Sequence, residues 1–204
     1  MKIVIGLGNP GEKYKDTRHN VGFDFVNQLS EHPRFSAVSQ KLTFSSSKKF
    51  QAEIAETQIA GEKVILIKPQ TYMNLSGNTV KVIMNYFHAS NEDLLIVSDD
   101  LYLRLGMARI RLEGSSGGHK GLESIIDSLG TENFTRLRIG ISEHYVGEQE
   151  SEEIYQKIEA KKFVLEKFSK RERPIVEQVL RKSANLIIGF IGKKEQIKAQ
   201  TFGI

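Results

Sequence analysis

The sequence predicts an α/β fold in which a single domain over residues 1–204 carries a mixed, mostly parallel twisted sheet flanked by helices on both faces. Three observations predict it. Short apolar runs at Lys2–Gly6, Leu94–Val97 and Leu137–Ile141 have the length and β-branched content of buried strands. Segments with apolar residues at helical spacing stand between them. No internal repeat, low-complexity block or linker divides the chain.

Taken in order, Lys2–Gly6 is the opening strand, stopped by glycine. Asn20 stands where it can cap a helix over Val21–Leu29, whose Val21, Phe25, Val26 and Leu29 share one face. Ser45–Lys49 is polar and turn-like; the alternation of Phe50, Ala52 and Ile54, then Gly61-Glu62, then Lys63–Lys68 predicts two antiparallel strands joined by a turn. Asn74 or Ser76 begins a helix carrying Val80, Ile83, Met84 and Phe87. Leu94–Val97 is a strand that ends before Asp99-Asp100, and Met107–Leu112 alternates apolar residues with arginines. Gly114–Gly118 is a flexible loop before a helix over Leu122–Leu129, and Leu137–Ile141 is a further strand. Glu152–Lys194 is charged and helical in pattern, with Pro174 marking the start of the last helix.

Composition removes several classes of function. With 204 residues, 39% of them hydrophobic, the chain can bury a proper core. No apolar run approaches bilayer length and the first residues lack the layout of a secretory signal, so a cytoplasmic protein is expected. The absence of Cys excludes disulfides, thiolate metal sites and cysteine nucleophiles. A net charge of +4 mildly favours a polyanionic partner. Arg109, Arg111 and Lys120 flank the glycine-rich loop, with Arg136 and Arg138 in the next strand, a grouping that could grip phosphate. No exposed apolar helix stripe calls for a partner, so a monomer is expected.

Gly6-Leu7-Gly8-Asn9-Pro10-Gly11 follows a strand and fits the G-x-G-x-x-G of dinucleotide-binding folds. Its context argues against that reading. Pro10-Gly11 is a turn pair where the helix should already be running, and Glu31, the acid at about the right distance, ends a helix instead of a second strand.

Polar residues gather at the ends of strands and starts of helices, where such a sheet builds its site: Asn9, His19-Asn20, Met73-Asn74, Asp99 and the loop Gly117–Lys120. His19 with Asp99 is the simplest pair that activates water at neutral pH, since the acid fixes the imidazole tautomer and steadies the cation. Side-chain amides at Asn9 and Asn74 can hold a carbonyl and stabilise charge on its oxygen. Each residue also has a bland reading: helix caps for Asn20 and Asn74, a hydrogen-bonded buried ring for His19, a polar turn for Asp99-Asp100, core packing for Met73. From residue types alone the reading stops at a hydrolase-like α/β domain, without metal or cofactor.

Longer stretches resemble a known family. Gly6–Gly11 with Tyr14, Thr17-Arg18-His19-Asn20 and Gly22 resembles the opening signature of bacterial peptidyl-tRNA hydrolases. Lys68–Gly77, Ser98–Leu101, Gly117–Leu122, Arg136–Gly140 and Phe163-Val164-Leu165 are similar to its remaining segments, in order and spacing. The resemblance implies water-mediated cleavage of the ester joining a peptide to the terminal adenosine of tRNA, recycling tRNA released from stalled translation. In it His19 is the general base and Asp99 its orienting partner. Asn9 and Asn74 hold the peptide main chain and the reacting carbonyl, Met73 and Tyr14 shape the groove, and His119 and Lys120 contact substrate. Arg111 and Arg138 hold a tRNA phosphate, a task suited to the planar guanidinium fork.

The chain departs from the family at Lys120, where the family usually has Asn. An ammonium only donates, and a cation near His19 would depress the imidazole pKa. Tyr102 and Arg104 replace the usual acid and proline, and Glu113 sets a negative charge beside the loop. These departures leave an alternative of another class: an RNA-binding relative with impaired chemistry.

Overall fold

The computed structural model describes residues 1–34, 42–143, 157–193 and 196–204. β1 (Lys2–Gly6) lies at the centre of the sheet, parallel to β4 (Glu62–Pro69) on one side and to β5 (Leu94–Arg104) on the other. β7 (Thr135–Ser142) runs parallel to β5 and completes a parallel centre. Both margins are antiparallel: β2 (Ser45–Ser47) and β3 (Ala52–Ile59) lead into β4, while β6 (Met107–Arg111) and β8 (Gln200–Gly203) close the far side. The strand order is β2-β3-β4-β1-β5-β7-β6-β8.

Alternate residues of a strand leave on opposite faces, so a strand covered on both sides must be apolar throughout. Val4, Leu66, Val97, Leu137 and Ile139 pack beneath α1 (Val21–Ser30) and the last helix, α5 (Glu172–Lys193), against Phe25, Leu29, Val179 and Ile187. Ile3, Ile5, Ile65, Ile67 and Ile96 face α2 (Ser76–Tyr86) and α3 (Lys120–Leu129), meeting Val80, Ile83, Leu122 and Ile125. A short helix, α4 (Lys157–Phe163), precedes α5. Among the described residues no helix is long and apolar enough to cross a membrane.

Several expectations shift. Asp99 and Asp100 lie inside β5, not in a turn after it, because β7 continues alongside and the carboxylates find partners there: Asp100 takes the Arg138 guanidinium at 3.1 Å. Ser45–Ser47 forms a short edge strand, and the turn falls just after it, before Ala52. Asn20 makes no cap bond to α1, and α2 begins at Ser76 with Asn74 in a 3-10 turn before it. α3 begins at Lys120 because His119 caps it, and α5 begins at Glu172, two residues before Pro174. Residues 152–156 and 194 of the expected helical tail lie outside the described residues. α2 also exposes Val82 and Tyr86, 44% and 51% open, an apolar strip that sequence reading did not foresee.

Candidate active site

The site begins where β1 ends. A Cβ on Gly6 would lie 2.1 Å from the Gly22 carbonyl oxygen, and one on Gly22 would lie 2.5 Å from the Leu7 amide. Only two glycines let α1 rest its first turn directly on the strand end. That contact carries His19-Asn20, in the 3-10 turn before α1, against Asn9.

Asn20 uses its whole amide on Asn9: its Oδ1 accepts from the Asn9 N–H at 2.8 Å and its Nδ2 donates to the Asn9 carbonyl at 3.0 Å. The Asn9 Oδ1 in turn accepts the Met73 N–H at 2.9 Å. An amide whose oxygen is engaged in this way presents its NH2 as the remaining donor, so Asn9 offers a fixed hydrogen-bond donor. Met73 is buried under Gly121, and Asn74 next to it is exposed, with no hydrogen bond among the described residues. The Tyr14 and Tyr72 rings meet edge to face at 6.4 Å, with Tyr72 53% exposed.

His19 and Asp99 come together as expected, Nδ1 to Oδ1 at 2.7 Å. Sequence reading missed that His119 reaches the same oxygen, Nε2 to Oδ1 at 2.9 Å. The His119 tautomer follows from its other nitrogen. Nδ1 accepts the N–H groups of Gly121 and Leu122 at 3.1 and 3.2 Å, so it carries no proton, and Nε2–H donates to Asp99. Both ring nitrogens of His119, which was expected to contact substrate, are engaged by the protein. His19 donates from Nδ1, which leaves its Nε2 lone pair available. The three side chains place their ligand atoms within 4.8 Å of one another, a metal-like grouping. The donor set does not fit a cation, because the nitrogen that would have to ligate from His119 is the protonated one.

Burial disfavours ionised Asp99, but the electrostatic pull of His19 and His119 and the hydrogen bonds from both rings outweigh it and hold the carboxyl well below its usual range. For His19 burial again opposes the charged form, yet the charge and hydrogen bond of Asp99 win and its pKa is raised. The expected depression by Lys120 does not occur. Its ammonium, 62% exposed, lies 2.6 Å from Glu123 on the open side of α3, where the cation is compensated.

The arginines form a separate face. Arg109 pairs with Arg138 and Arg111 with Arg136 across β6 and β7, which puts all four on one side of the sheet, opposite the side on which Leu137 and Ile139 meet α1 and α5. Arg136 is 1% exposed and spent on the fold. It donates to the carbonyls of Gly114, Ser115 and Glu132 and lies 4.2 Å from the Phe134 ring centre, stapling the glycine-rich loop rather than gripping phosphate. Burial, followed by the neighbouring Arg138 charge, lowers it to about 10, still cationic at neutral pH. Arg138, 18% exposed, sits under Gly117, and Arg111 is half-buried.

The chain is similar to known proteins over most of its length. A family model described as Peptidyl-tRNA hydrolase matches residues 3–202. The Peptidyl-tRNA hydrolase of Shouchella clausii (strain KSM-K16) is 42% identical over 194 residues, covering 95% of this chain and 95% of the relative. That of Desulfitobacterium hafniense (strain Y51) is 40% identical over 187 residues, 92% of this chain and 91% of the relative. The crystal structure of peptidyl-tRNA hydrolase from Acinetobacter baumannii superposes with a TM-score of 0.81 at 31% identity, covering 95% of this chain and 89% of that chain.

Proposed function

The chain belongs to the peptidyl-tRNA hydrolase family, and on that premise we propose that it cleaves the ester between the peptide and the 3′ end of tRNA through water activated by His19. One observation carries this reading: the 2.7 Å bond from His19 Nδ1 to Asp99, which orients the ring and frees Nε2 as base.

In the reaction Nε2 takes a proton from water as the oxygen attacks the ester carbonyl. The Asn9 NH2 donates to the carbonyl oxygen as charge gathers on it. Collapse of the tetrahedral species expels the 3′ oxygen of the terminal adenosine, which takes the proton back from His19. Asp99 stabilises the transient imidazolium, and His119 keeps Asp99 ionised and aimed. Asn74 on the exposed turn meets the peptide main chain, with Met73, Tyr14 and Tyr72 shaping the groove. Lys120 binds substrate as a second donor at the groove mouth, and Arg111 and Arg138 hold a tRNA phosphate. The protein acts in the cytoplasm as a monomer and returns tRNA to translation. Nothing favours the impaired RNA-binding alternative.

The test is incubation with a peptidyl-tRNA, following release of free tRNA by the wild type and by His19→Ala. Release by the wild type alone supports hydrolysis through His19; equal rates contradict it.

A further inference from the structure

We propose that Arg18 and Glu172 are positioning residues for this reaction, holding His19 in place by clamping the segment Val164–Lys167 against the turn that carries it. The inference rests on the reading of His19 as the base.

Arg18 immediately precedes His19, yet its side chain turns away from Asp99 into the protein. It is 8% exposed and its partner Glu172 4%. Nη1 lies 2.7 Å from Oε1 and Nη2 donates to Oε2 at 3.0 Å, the paired geometry of a guanidinium on a carboxylate. Nη1 also donates to the Ile141 carbonyl at the end of β7, at 2.9 Å. The guanidinium carbon lies 4.3 Å from the Phe163 ring centre and 4.9 Å from that of Phe168. Glu172 is tied to the chain just beyond that segment, its Oε2 accepting the Ser169 N–H at 2.7 Å. Burial works against its charge, but the hydrogen bonds from Arg18 and Ser169 keep the carboxyl below its ordinary value.

The consequence for His19 lies in the backbone. The turn Arg18–Asn20 is a single 3-10 turn and cannot satisfy its own amides. The Arg18 N–H donates to the Glu166 carbonyl at 2.9 Å and the His19 N–H to the Val164 carbonyl at 2.8 Å, while Thr17 bridges Lys167. The general base therefore hangs on a segment whose seat is the buried ion pair. Two charges in such a place are a poor way to gain stability, since apolar side chains of equal volume usually do as well. They fix geometry, and a base displaced by about 1 Å loses on the order of 10²-fold in rate.

The experiment compares Glu172→Gln, which keeps shape and removes charge, with Phe168→Leu, which loosens one ring and leaves the ion pair. For each, kcat, KM, the acid limb of kcat and thermal unfolding are measured on peptidyl-tRNA. Glu172→Gln is expected to lower kcat at least about tenfold with KM within about twofold. Its acid limb should fall toward the ordinary imidazole value of 6.5, as His19 loosens from Asp99. Phe168→Leu should move both the same way, less far, and it carries the test if Glu172→Gln does not fold. Variants that unfold at lower temperature but keep the wild-type kcat and acid limb overturn the proposal. A His19→Ala protein that still hydrolyses substrate overturns the assignment of the base instead, so the two failures are distinct.

Discussion

The Nε2 of His119 lies 2.9 Å from Asp99 Oδ1, the oxygen that His19 also uses. One carboxylate oxygen thus joins the base to the first turn of α3, because the other His119 nitrogen caps that helix. Replacing His119 with Ala should remove a donor from Asp99 and a cap from α3 together. Stability should fall by about 1 kcal/mol, the usual worth of a cap, and kcat by about tenfold with a smaller change in KM. Denaturant unfolding and steady-state kinetics check this; a rise in KM alone would return His119 to substrate contact.

Asp99→Asn leaves the shape of the site and removes the charge that raises His19. Burial then acts alone and pushes the imidazole down, so the acid limb of kcat should move to lower pH. The plateau should fall on the order of 10²- to 10⁴-fold, because the imidazolium loses its partner. A pH–rate profile from about pH 5 to 9 reads both effects.

The same shift has a signature in stability. His19 has a raised folded pKa, so its pair with Asp99 stabilises the protein fully below the ordinary value of 6.5 and loses that contribution as pH rises through the folded value. The difference in unfolding free energy between wild type and His19→Asn should therefore be larger near about pH 5 than near about pH 8.5. A difference that grows with pH would mean that burial, not Asp99, governs the ring.

Arg138→Ala should raise KM more than it lowers kcat, since a phosphate contact remote from the ester contributes equally to ground and transition states. The slope of log affinity against log salt should become shallower by about one ion. A loss confined to kcat would point to Arg138 acting through Asp100, its partner at 3.1 Å.

Lys120→Ala should leave the acid limb of kcat where it is, because the ammonium is compensated by Glu123. Titration of kcat in the two proteins checks it. A limb that climbs on removal of Lys120 would restore the expected depression of His19.

Much of this molecule was legible before folding, and the rest has definable physical reasons for being hidden. The central strands announce themselves because both faces are covered, and the arginine alternation in β6 and β7 reads directly as one charged face. Two adjacent acids resemble a turn past the strand; only β7 alongside, with Arg138 paired to Asp100, makes room for them in β5. Asn20 looked like a cap because local pattern cannot show that the Asn9 backbone lies nearer than the α1 amides. Arg136 and Arg138 are indistinguishable in sequence, and the position of the Gly114 and Ser115 carbonyls decides that one is structural. The dependence of His19 on Glu172, across 154 residues from Arg18, has no local signal at all.

Nitrogen-detected NMR of the His19 ring across pH tests the chemistry most directly. At pH above its pKa the ring should be the neutral tautomer protonated at Nδ1, and that pKa should lie above the ordinary imidazole value and coincide with the acid limb of kcat. A ring protonated at Nε2, or one whose titration does not coincide with the acid limb, would contradict His19 as the base that takes the proton from water.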